Sequence, residues 1–207
     1  MSFDVRGGEA VGLVGPNGSG KSTVLRILGT LLAPSAGTAS INGLDVVRDA
    51  GAVRAQVGYL AHTPGLYDDL TARENLRFAA DMLGLSHADA EDSLTRVGLT
   101  RAAGERVRTF SAGMQRRLAL ARLTLLRPRV LLLDEPYSNL DSAGVSLVNG
   151  IITDVVRSGG AALVVLHELA PAAGVLDRTL TLVEGRIAAP DAASIDGTRM
   201  PSSTGAR

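Results

Sequence analysis

In GPNGSGKS, residues 15–22, three glycines spaced through one short stretch are followed directly by a lysine and a serine. The stretch follows the apolar run AVGLVG (10–15) and precedes an amphipathic segment carrying Leu25, Leu28 and Leu32. In that strand, loop, helix context the glycines let backbone N–H groups curl around β- and γ-phosphates, and the helix start adds positive potential. Gly15, Pro16, Asn17, Gly18, Ser19, Gly20 and Lys21 are therefore candidate phosphate-binding residues, and Ser22 a candidate ligand of Mg²⁺. Lys21 is the only lysine in a chain with twenty arginines. A compact ammonium fits inside such a loop, where a planar guanidinium would not.

RVLLLDEP (129–136) puts two carboxylates at the end of a buried strand. Burial penalises both, so a cation or a hydrogen-bond network must compensate. Chemistry assigns Asp134 to Mg²⁺, directly or through water, and Glu135 as the base that orients and deprotonates an attacking water. TFSAGMQRRLALAR (109–122) opens a helix with Ser111, Ala112 and Gly113. Small residues there expose orphan N–H groups and make a second anion site, useful if a nucleotide is sandwiched from opposite sides; standing alone, the stretch reads more readily as a plain N-cap by Ser111. Two of the three histidines stand at strand ends: His62 in GYLAHTPGLYDDLTAREN (58–75) and His167 after AALVVL. A lone histidine in a polar loop is ordinarily a solvated side chain. Arg116, Arg117, Arg122, Arg127 and Arg129 read mostly as a solvated helix face.

Elements to hold these residues recur along the chain. VGYLA (57–61), VLLLD (130–134), ALVVLH (162–167) and RTLTLVEG (178–185) join AVGLVG as apolar, strand-like runs, each followed by a helical pattern. Runs apolar on both faces fit a largely parallel α/β sheet. From about 68 to 127 the pattern is helical alone: Leu76, Ala79, Ala80 and Leu83 recur at helical spacing, and Thr71 with Glu74 has capping-box spacing. This predicts a helical subdomain inserted in the α/β core, within one domain over 1–190. Residues 191–207 are small, polar and aperiodic and are expected to be disordered.

With 45% hydrophobic and 20% charged residues the composition is globular. A formal net charge of zero gives no bulk attraction to nucleic acid or anionic lipid. The chain has no cysteine, which excludes disulfides and thiolate metal sites and fits a reducing compartment. No apolar run approaches the ~20 residues of a membrane span, and MSFDVRGGEA lacks a signal-peptide core. A cytoplasmic location is expected.

GPNGSGKST, FSAGMQRR, LLLDEP, SNLD and His167, in that order, resemble the nucleotide-binding domain of ABC transporters, over about residues 2–187. The resemblance implies a P-loop NTPase core with a mostly parallel sheet, an inserted helical signature subdomain and a small antiparallel β portion. It implies ATP with Mg²⁺, Thr23 as the last phosphate-loop contact, and a head-to-tail dimer. In that dimer each ATP lies between the phosphate loop of one subunit and Ser111, Ala112, Gly113 and Met114 of the other. It further implies that His167 contacts the γ-phosphate, that Asp141 closes a loop crossing the dimer interface, and that transmembrane permease subunits hold the protein peripherally on the inner membrane face. His62 stands where the family usually has glutamine, near Mg²⁺ and the attacking water, with catalysis or weak metal ligation as its possible roles. His62 with PGLYDDLTARENLRF and DEPYSNLD most resembles the ATP-binding subunits of haem exporters used in cytochrome c maturation. Multidrug and other exporters share most of this wording. Soluble members in translation or DNA maintenance generally carry two such domains or a long coiled coil, and neither pattern is present.

Met114 replaces the family's signature glutamine. The family also has a first strand and an adenine-stacking aromatic ahead of the segment that begins MSFDVRGGEA. The expectation is that the start was placed too late, since stacking is worth ~1–3 kcal/mol.

Overall fold

The computed structural model describes residues 1–188; the expectation for residues 191–207 lies outside the described residues. Five parallel strands make the body of one sheet: β1 (Ala10–Val14), β4 (Val57–Leu60), β5 (Val130–Asp134), β6 (Ala161–Val165) and β7 (Arg178–Val183), in the order β4-β5-β6-β1-β7. β8 (Arg186–Ile187) closes the β7 edge antiparallel, and β2 (Ser40–Ile41) with β3 (Leu44–Asp45) forms a separate antiparallel hairpin. The sheet is mostly parallel with a small antiparallel portion, as the apolar runs and the family resemblance led us to expect.

Alternation along the buried strands sends side chains into two cores. Leu131, Leu133, Ala162 and Val164 meet α5 (Ala112–Leu125) and α6 (Ser142–Arg157) on one face. Leu132, Leu163 and Val165 meet α1 (Lys21–Leu28) and the β2–β3 hairpin on the other, with α2 (Ala50–Arg54) adding Val53. Coverage on both faces explains why these strands read as unbroken apolar runs.

The helical subdomain has its own core. Leu76 and Ala80 of α3 (Ala72–Met82), Ala90 and Leu94 of α4 (His87–Arg96), and Leu118, Ala121 and Leu125 of α5 pack together. Thr71 caps α3 through the predicted box: its hydroxyl accepts from Glu74 N while the Glu74 carboxylate accepts from Thr71 N. Ser86 and Asp89 repeat the device at α4. Because Ala119, Leu120 and Leu123 of α5 belong to the sheet core while its other face fills the helical core, α5 joins the two bodies.

Candidate functional site

All five parallel strands end on one edge, and ligands of open parallel sheets bind outside that edge. β1 runs into the phosphate loop, β4 into Ala61 and His62, β5 into Glu135, and β6 into His167. The loop folds as its glycines require. Gly15 has φ 148°, and a Cβ there would run into the backbone oxygen of Leu182; Gly20, at φ 104°, is the N-cap of α1. Lys21, only 7% exposed, turns its ammonium into the curl and donates to Gly15 O at 2.7 Å and Pro16 O at 3.0 Å. Ser19 is buried with its Oγ unpaired, and Ser22 is half-buried beside Lys21 in the first turn of α1.

Asp134 is 3% exposed, and its Oδ1 is buried without a partner. A carboxylate oxygen left so costs several kcal/mol unless a cation meets it. Among the described residues no cluster of three His, Asp or Glu side chains could hold a metal by itself. One strand-end carboxylate plus a serine hydroxyl and phosphate oxygens is, however, the donor set Mg²⁺ uses. The residues present fit that ion.

Glu135 follows in the left-handed region, φ 49°, a conformation a non-glycine residue holds only when its surroundings impose it. Its amide donates to Val165 O of the adjacent strand end. The carboxylate is then met on both oxygens: His167 Nε2 lies 2.7 Å from Oε1, and His62 Nδ1 lies 3.4 Å from Oε2. The two histidines from separate strand ends, far apart in sequence, thus bracket the proposed base. Glu135, Tyr137, His167 and Pro171 line a cleft of about 280 Å³. None of the phosphate-loop residues lines it, so it is the space beside the carboxylate and not a whole ligand pocket. A larger concavity, lined by Val5, Val24, Ile41 and Leu163, lies elsewhere and touches none of the candidate catalytic residues.

Ser111 caps α5, its hydroxyl accepting from Met114 N at 3.3 Å. Ser111 and Ala112 are exposed, and Gly113 lies against the 138–141 turn, where a Cβ would come within 2.7 Å of Asn139 O. The signature start and this turn therefore touch within one chain. Asp141 is committed within the chain: it caps α6 by accepting from Gly144 N at 2.8 Å and pairs with Arg117 at 2.6 Å. The amide and the guanidinium hold its carboxyl below the usual carboxylate range.

The arginine-face expectation needs correcting. Arg127 and Arg129 are exposed, but Arg116 is 3% exposed and Arg117 and Arg122 are half-buried. Arg116 donates to Ala61 O (2.9 Å) and His62 O (3.0 Å), and Arg122 to Gly65 O (2.5 Å) and Pro64 O (2.8 Å). Burial lowers the Arg116 pKa, and the nearby carboxylates of Glu135 and Asp134 oppose that effect. A guanidinium can be buried when its fork is filled by carbonyls, which is the case here.

Sequence reasoning also missed Tyr137 and Asn149. The Tyr137 hydroxyl donates to Asn149 Oδ1 at 2.6 Å, and the Asn149 amide donates to Pro171 O at 3.0 Å, tying the segment after Glu135 to the one after His167. Burial pushes the phenol pKa up, so it remains a neutral donor. Tyr137→Phe leaves the Asn149 oxygen without its partner, and urea unfolding is expected to show a loss of about 1–2 kcal/mol. An unchanged midpoint would mean the network holds nothing.

A phosphate loop at the carboxyl edge of a parallel sheet is the arrangement of P-loop NTPases, and fold and site together place the chain in that class. Within it the chain belongs to the ABC transporter family, whose pattern it matches over residues 1–138. A relative from Cupriavidus pinatubonensis, the cytochrome c biogenesis ATP-binding export protein CcmA, is 40% identical over 177 residues, 84% of this chain and 78% of its own. Among solved structures, an ATP-binding subunit of an ABC transporter superposes with a TM-score of 0.82 at 34% identity, over 90% of this chain and 80% of that one. A dimeric ATP-binding cassette in a post-hydrolysis state with ADP and Pi superposes with a TM-score of 0.78 at 27% identity, covering 89% and 85%.

Proposed function

We propose that the chain is the ATP-hydrolysing subunit of a membrane exporter that delivers haem for cytochrome c assembly. The observation that carries the catalytic part is the bracketed carboxylate: Glu135 is held in a strained backbone at the strand edge with a histidine on each oxygen. Lys21 and the loop amides bind the β- and γ-phosphates, with Gly15 to Gly20 and Thr23 shaping the cradle. Ser22 and Asp134 would hold Mg²⁺, which supplies charge neutralisation on the phosphate oxygens. Glu135 orients the attacking water and accepts its proton, while His167 fixes the carboxylate and reaches towards the γ-phosphate. His62 steadies the second oxygen.

The exposed first residues of α5, Ser111 and Ala112, support a partner that uses them. A second copy, docked head-to-tail, covers each nucleotide with Ser111, Ala112, Gly113 and Met114 and brings the turn ending at Asp141 to the interface. That a solved relative is a dimer with ADP and Pi supports the pairing of two copies. No helix among the described residues is long and apolar enough to cross a membrane. Membership of the ABC transporter family supports a membrane path formed by permease subunits, which hold this subunit on the inner face. The cargo follows from the named relative, whose description is cytochrome c biogenesis and export.

The test is recovery of partners from detergent-solubilised membranes with the Glu135→Gln variant and ATP, read by mass spectrometry. Multi-spanning cytochrome-maturation proteins are expected. A different permease would move the cargo to another exporter class, and ribosomal or DNA-associated proteins alone would overturn the membrane assignment. His62→Gln is expected to keep ATPase activity within about threefold, because an amide offers the carboxylate a comparable donor. Collapse of turnover would mean the imidazole does chemistry of its own.

A further inference from the structure

The four carbonyls held by Arg116 and Arg122 all belong to residues 61–65, and both arginines project from α5. The residues involved are more than fifty positions apart in sequence, so this attachment is tertiary. The 61–65 segment has no regular secondary structure, and His62 is exposed at the side chain. Its fixed position depends on the contacts it makes with its surroundings. Arg116 is the deepest of these, a buried guanidinium with two carbonyls in its fork, and Arg122 repeats the grip about one and two-thirds turns along the same helix.

We infer that Arg116 and Arg122 are positioning residues: they lock the 61–65 segment to α5 so that the segment moves with the helix whose start carries Ser111 to Met114. The inference rests on the head-to-tail reading given above. There, the start of α5 meets the nucleotide bound by the partner copy, whereas His62 faces Glu135, which serves the chain's own nucleotide. The arginine grip therefore links occupation of one site to the geometry of the base in the other. The path is short and contiguous: Ser111 caps the helix, Arg116 lies in its second turn, its fork holds His62 O, and the His62 ring lies 3.4 Å from Glu135. A rigid helix, one hydrogen bond from its Arg116 to His62 O and the 3.4 Å contact of the His62 ring with Glu135 can transmit a displacement of about an ångström, and such a shift at a reacting group alters rate strongly.

The experiment compares Mg-ATP turnover of the full-length wild type with Arg116→Met, Arg116→Lys and Arg122→Gln. Arg116→Met is expected to lower kcat about tenfold or more with KM within about threefold, since nucleotide is still held by Lys21 and its loop. Arg116→Lys, which keeps a charge and one carbonyl bond, is expected to restore part of kcat. Arg122→Gln sits nearer solvent and tests the same grip in a variant whose folding is less at risk; its kcat is expected to fall about threefold or more. Hydrogen exchange of amides 61–66 supplies the readout that a merely structural role would not move. In wild type, ATP is expected to protect them together with the start of α5, and in the variants to protect the helix start alone. Arg122→Gln and Arg116→Met with kcat within twofold of an active wild type, or with the 61–66 protection retained, would overturn the inference and leave the functional reading standing. A wild type that neither binds nor hydrolyses Mg-ATP would overturn the functional reading, and the inference with it.

Discussion

Glu135→Gln is expected to bind ATP like the wild type and to turn it over about 10²–10³-fold more slowly, the usual loss when a general base is removed. Each tenfold is ~1.4 kcal/mol of barrier, so the variant loses about 3–4 kcal/mol of transition-state stabilisation. The amide keeps the shape of the carboxylate and leaves the backbone at φ 49° no more strained than before. It can still meet His167 at 2.7 Å, and the pairs it gives up are part-exposed contacts worth ~0–1 kcal/mol. Thermal stability is therefore expected to change little, which separates a chemical defect from a folding one. With binding intact and hydrolysis stalled, gel filtration in ATP should show a nucleotide-bound dimer accumulating. Steady-state turnover equal to wild type would remove Glu135 from the role of base and leave the bracketing histidines without a purpose.

The parts of the fold carried by local pattern were legible. VLLLD became β5 to the residue, because a strand covered on both faces has nothing but apolar side chains to show. Thr71 and Glu74 closed the box their spacing predicted. Two-residue strands such as β2 and β8 are too short to display any period. The arginines of α5 were misread for a different reason. A charged residue on a helix is normally solvated, and the partners that overturn the rule at Arg116 and Arg122 are backbone carbonyls, which leave no trace in residue type. α5 also packs on two cores at once, so its apolar residues surround the axis and do not form one stripe. At the site, residue types pointed to Lys21, Asp134 and Glu135, and the family resemblance to His167. The meeting of His62 with the second oxygen of Glu135 depends on β4 and β5 lying side by side and ending on one edge, which is topology.

Lys21→Ala is expected to abolish useful ATP affinity, and the buried position of the side chain sets the size of the effect. Its ammonium now donates to Gly15 O and Pro16 O, so the charge already sits inside the loop. Bound phosphate oxygens would take over those donors as charged partners, each hydrogen bond to a charged group being worth ~1.5–3 kcal/mol. Two such contacts amount to at least a hundredfold in dissociation constant at ~1.4 kcal/mol per tenfold. The fold should lose little, because the two carbonyls left behind lie in a loop that water reaches. Lys21→Arg separates charge from shape. If net charge alone held the phosphates, the arginine variant would bind almost as well as wild type, in a chain that uses arginine at every other basic position. The loop instead holds a compact ammonium on Gly15 O and Pro16 O, a placement that the longer, planar fork does not reproduce, so calorimetry is expected to show both variants losing affinity. Retained binding in Lys21→Ala would contradict the phosphate-loop assignment itself, and retained binding in Lys21→Arg would show that the loop yields to the wider group.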